Sequence, residues 1–112
     1  MTPTQCRARA LLYSGRPDPE WSVDKEKLEF LEHIWNELPL SKSATPVAPP
    51  LGYRGLTLAC SSDKSWLAYG GIVTLKHGTR RPQHRRDEGR RFARALANTA
   101  PPDVLPPHLE SG

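Results

Sequence analysis

Cysteine, methionine and large aromatics are scarce in this chain. Among 112 residues there are two cysteines, one methionine, two phenylalanines, and three each of tyrosine and tryptophan. Two cysteines and four scattered histidines do not make a zinc site by spacing, so no metal site is expected. No apolar run is long enough to cross a bilayer. Met1 to Arg9 lacks the apolar stretch of a secretory signal, so the chain reads as intracellular, cytoplasmic or nuclear. Cys6 and Cys60 then read as free thiols, although placement on adjacent strands leaves a bridge open. Phosphate loops are missing too. Neither Gly52-Tyr53-Arg54-Gly55 nor Gly70-Gly71 belongs to a Gly-Lys-Ser/Thr or Gly-x-Gly-x-x-Gly pattern. No cofactor is implied.

What the chain has in quantity is proline, with twelve residues, and positive charge, with a formal net +4. The charge is uneven. Lys76 to Arg94 carries eight Lys/Arg against two acids, or +6, which leaves −2 for the rest. At this length the chain is one domain, expected over residues 1–100 with a flexible linker at about 40–50 and a Pro-rich tail over 101–112. Its core is small, with about 70–80 ordered residues.

The most constrained stretch is Tyr13-Ser14-Gly15-Arg16-Pro17-Asp18-Pro19-Glu20-Trp21. Pro17 and Pro19 fix their own φ and push Arg16 and Asp18 toward extended geometry. A stiff loop that presents a cation, carboxylates and a large aromatic loses little entropy on binding. The competing reading is a connection in which Trp21 packs down on the core. With Trp21, this stretch resembles the Ser-Gly-Arg-Pro-(Asn/Asp)-Pro-x-Trp signature of a group of small uncharacterised proteins. Some of these also carry Leu-Gly-Tyr-Arg-Gly, which Leu51-Gly52-Tyr53-Arg54-Gly55 matches. The resemblance implies a compact single domain and brings no activity with it.

Along the chain, Arg7 to Tyr13 reads as a first strand. Ser22 reads as the N-cap of a helix from Val23 to about Leu38, with Leu28, Leu31, Ile34, Trp35 and Leu38 as its apolar stripe. Pro39 stops it. Leu56 to Cys60 alternates as a strand, Ser61 to Ser65 is a hairpin connection, and Trp66 to Leu75 returns with a bulge at Gly70-Gly71. Lys76 to His84 reads as an exposed basic connection. Asp87 then caps a second helix to about Asn98, with Phe92, Ala95 and Leu96 facing inward. The expected fold is α+β in the order β-α-β-β-α, with a three-stranded sheet backed by the first helix.

Three functional readings follow. In the first, a non-enzymatic module binds a protein partner through Arg16, Asp18, Trp21, Tyr53 and Arg54, residue types that carry interface energy. In the second, Arg85, Arg86, Arg90, Arg91 and Arg94 bind nucleic acid, or an acidic partner, through the basic segment. Arginines at a helix start oppose its dipole, which hints at an anionic partner. No zinc finger, RNP-type strand or convincing helix-turn-helix accompanies them. The third is a small thiol-dependent enzyme using Cys60, for which the sequence shows no paired base.

Overall fold

The computed structural model describes residues 5–12, 18–46, 54–102 and 104–105. The elements run β1 (Cys6–Ala10), β2 (Glu20–Val23), α1 (Lys25–Glu37), β3 (Leu56–Cys60), β4 (Lys64–Tyr69), β5 (Ile72–His77), β6 (Gln83–Arg86), a 3₁₀ turn (Glu88–Arg90) and α2 (Arg91–Asn98). The strands form one sheet in the order β2-β1-β3-β4-β5-β6. Every neighbouring pair is antiparallel, including β1 with β3.

The α+β class holds, but the expected three-stranded sheet is wrong: the sheet has six strands. Three local features account for the difference. Residues 20–23 alternate exposed and buried, so Trp21 and Val23 face inward while Glu20 and Ser22 face out. This short strand pairs antiparallel with β1, so β1 is followed by a strand rather than directly by the helix. Ser22 therefore lies in a strand, and the helix cap is Asp24, whose Oδ1 accepts from the Lys27 N–H at 2.9 Å. Second, the expected strand from Trp66 to Leu75 is two strands. Gly70 (φ 63°) and Gly71 (φ 80°) both take positive φ, the backbone of a tight two-residue hairpin turn, and Tyr69 lies opposite Ile72. Third, the expected basic connection contains β6, which pairs with β5 from Ile72↔Arg86 to Leu75↔Gln83.

Both helices cover one face of the sheet. α1 buries Leu28, Leu31, Ile34 and Trp35, and α2 buries Phe92 and Leu96. They meet Ala8, Leu58, Trp66 and Val73 from the strands. α1 starts beside β2 and ends against β6, while α2 leaves β6 and ends near β2, where the Trp21 indole N–H donates to Thr99 Oγ1 at 2.7 Å. Asp87 does cap α2. Its buried carboxylate accepts from the Phe92 and Ala93 N–H groups at 2.8 and 3.0 Å.

The 40–50 linker is docked as far as Pro46; residues 47–50 lie outside the described residues. Arg86 N–H donates to the Pro39 carbonyl at 2.8 Å, Ser41 N–H donates to His84 at 2.9 Å, and Leu40 bridges Arg85. Thr45 and Thr74 then join hydroxyls at 2.6 Å on the sheet's other face. Leu105, in the expected tail, is buried in the core. Cys6 and Cys60 lie directly opposite each other on β1 and β3 and are joined by a disulfide, not left as free thiols.

Candidate functional site

The hairpin register sets the site. Lys64 lies opposite His77 and Trp66 opposite Leu75, and Leu75 in turn lies opposite Gln83 on β6. With Arg85, two positions on, these residues share the helix-covered face of the sheet. α1 does not close over this end. Glu32, Trp35 and Asn36 form one wall of a cleft of about 250 Å³, and Arg80 and Arg81 from the β5–β6 turn form another.

Arg85 is held from two sides. The last turn of α1 has no basic residue of its own, and Arg85 supplies one from β6. Its Nη1 donates to the Trp35 carbonyl at 2.9 Å and to the Leu38 carbonyl at 3.3 Å. Its guanidinium lies 4.7 Å from the centroid of the Trp35 ring, in cation–π range. That leaves Arg85 Nε–H buried without a hydrogen-bond partner among the described residues. The indole N–H of Trp66, a residue 3% exposed, is in the same state. An unmet buried donor costs about 1–3 kcal/mol, and both residues that carry one line the cleft. The side chains of Lys64, Arg80 and Arg81 form no ion pair among the described residues. With Arg85 and against Glu32, the cleft carries a formal +3.

No family model, curated protein or solved structure matches this chain.

The first expected set is split. Arg16 and Tyr53 lie outside the described residues. Asp18 and Arg54 do meet: Asp18 Oδ2 stands 3.8 Å from Arg54 Nη2, while its Oδ1 accepts from Leu12 N–H at 2.9 Å. Backbone bonds between Arg54 and Leu11, and between Leu11 and Gly55, fix the two segments side by side. Trp21, by contrast, is 3% exposed and turned into the core.

The second set is dispersed. Arg85 belongs to the cleft and to the α1 terminus. Arg86 pairs with Glu88 at 3.6 Å. Arg91 pairs with Glu37 at 2.9 Å, and this hydrogen bond, with the nearby His33, holds the Glu37 carboxyl below its usual range. Arg90 and Arg94 are exposed, and Arg94 lies with Arg91 beside the α1–α2 groove, away from Arg85. The thiol that the third reading requires of Cys60 is taken up in the disulfide.

Sequence reasoning missed Lys64, Trp66, His77, Arg80 and Arg81 as a group. The signal was there in Gly70-Gly71. Read as a two-residue hairpin, it counts back from Tyr69↔Ile72 to Lys64↔His77 and places the basic turn beside Trp66.

Proposed function

We propose that the protein is a non-enzymatic binding module that docks an acidic group of a protein partner in the cleft of Lys64, Trp66, Arg80, Arg81 and Arg85. The carrying observation is the pair of buried donors, Trp66 Nε1–H and Arg85 Nε–H, without acceptors among the described residues, in a cleft also lined by Lys64, Arg80 and Arg81, which form no ion pair among those residues. Such a site takes acceptors and repels cations, and no nucleophile–base pair stands in it to act on what it binds. Nucleic acid remains the competing partner. It is less well supported, because Arg85, Arg86 and Arg91 are each engaged within the fold and the five arginines form no single surface. A contact surface at the Asp18–Arg54 junction is a second reading, favoured by the ion pair that joins those segments.

The test is a fluorescence titration with a labelled hexaglutamate peptide and a labelled single-stranded oligonucleotide. Wild type is compared with Arg80→Ala/Arg81→Ala, with Arg90→Ala/Arg94→Ala and with Arg54→Ala. Binding of the peptide that is weakened only by the first variant supports the cleft. Loss with Arg54→Ala alone moves the site to the loop junction. Tight oligonucleotide binding that depends on Arg90 and Arg94, and falls steeply with salt, overturns the proposal in favour of nucleic acid.

A further inference from the structure

We infer that the cleft is built for a phosphate monoester group rather than for a carboxylate. The inference rests on the acidic-group reading above and narrows it to one chemistry. The reasons are donor number, direction and charge.

Donor-bearing residues line the cleft from several elements. Lys64 and Trp66 come from β4, His77 from the end of β5, Arg80 and Arg81 from the following turn, and Arg85 from β6. A carboxylate is planar and offers about four lone-pair sites, all close to one plane. A tetrahedral oxyanion with three free oxygens accepts from many directions at once, which is what donors arriving from a floor and two walls require. Two of these donors cannot be satisfied by rotation within the fold: Trp66 is 3% exposed, and Arg85 is pinned at Nη1 by the α1 carbonyls. Both are donor-only groups, so what meets them must be an acceptor. A phosphate monoester near neutral pH carries a charge of about −1.5 to −2. The formal +3 of the cleft, already net of Glu32, matches a dianion better than a single carboxylate charge. Arginine and lysine beside one another is also the usual company of phosphate, since the guanidinium provides paired donors and the ammonium a point charge. A cleft of about 250 Å³ holds the phosphate and a short length of whatever bears it.

The direct test is a ¹H–¹⁵N spectrum of the three tryptophan indoles, assigned through Trp66→Phe. Inorganic phosphate, O-phosphoserine in a short peptide, the unphosphorylated peptide, and acetate are titrated at matched ionic strength. The expected result is a saturable shift of the Trp66 indole N–H with phosphate species, at a Kd of about 1 mM or tighter. Trp21, already bonded to Thr99, should stay still. Arg80 and Arg81 are exposed, so Arg80→Ala/Arg81→Ala keeps the fold and should weaken phosphate binding about tenfold or more. A phosphopeptide that binds more tightly than inorganic phosphate supports an ester on a partner; the reverse order identifies the free ion and overturns the monoester assignment. Equal shifts with acetate overturn the phosphate assignment and leave the acidic-group reading standing. No shift of Trp66 with any anion overturns both.

Discussion

Removing the Cys6–Cys60 bridge should cost a large share of the protein's margin of stability. The bridge closes a sequence separation of 54 residues between β1 and β3. In the chain-entropy treatment a loop of that length removes enough freedom from the unfolded chain to contribute about 4 kcal/mol at 25 °C. A domain of this size has about 5–15 kcal/mol in total, so a protein near the low end would be barely folded once reduced. The assay is guanidinium unfolding followed by tryptophan fluorescence, with and without a phosphine reductant, alongside Cys6→Ser/Cys60→Ser. Reduced wild type and the double variant should unfold at the same lower midpoint. The double variant should be indifferent to reductant. The slope against denaturant should rise on reduction, because the unfolded chain then expands further. If oxidised and reduced wild type share a midpoint, the reasoning fails: either the bridge is not made, or β1 and β3 stay paired in the unfolded chain. Non-reducing gels of freshly lysed cells would show whether the bridge is made where the protein resides.

Three further outcomes follow from particular contacts. Trp21→Phe removes the buried bond to Thr99 and should lower stability by about 1–3 kcal/mol in the same unfolding assay. Gly55→Ala should cost about 1–3 kcal/mol from backbone strain at φ +113°, and more because the new Cβ would sit 2.9 Å from the Ala68 carbonyl oxygen; a neutral effect would show that the β3 entry is loose. Glu20 is held below its ordinary pKa of 4.5, first by the 2.6 Å hydrogen bond from Arg9 and then by that residue's charge. A lowered folded-state pKa contributes stability that is present above 4.5 and fades as pH falls through the folded value. Glu20→Gln should therefore lower stability at neutral pH and converge on wild type as pH falls below the folded value, as thermal melts across pH would show.

The helices were readable from the sequence because their apolar periods are long. Leu28, Leu31, Ile34 and Trp35 recur over about two turns, the spacing of one buried face. The sheet was harder. β2 and β6 each have four residues, which is too short for alternation to stand out from chance. β6 also reads Gln-His-Arg-Arg, a polar string that becomes a strand only because β5 and the chain after α1 pair with its two edges. Trp21 was legible as an aromatic but not as a core residue. Its neighbours Pro17 and Pro19 suggested a rigid loop, and the decisive partner, Thr99, lies 78 residues away. The cleft was invisible for the same reason: it needs the register of three strands together with the reach of α1. Asp87 shows a middle case: its carboxylate does bond the start of the second helix, but at Phe92 and Ala93, because the 3₁₀ turn over Glu88–Arg90 moves the helix start to Arg91.

The strap after α1 bears on how the protein behaves in crowded solution. An exposed strand edge is a template on which another chain can polymerise. Here the outer edge of β6 is already taken by Pro39, Leu40 and Ser41, and proline has no N–H to extend the pairing. At the opposite border the sheet ends in β2, only four residues long. For a second molecule to add strands beside β6, residues 39–41 must first peel away. The same short segment that carries the chain from helix to sheet thus acts as a stop on runaway assembly.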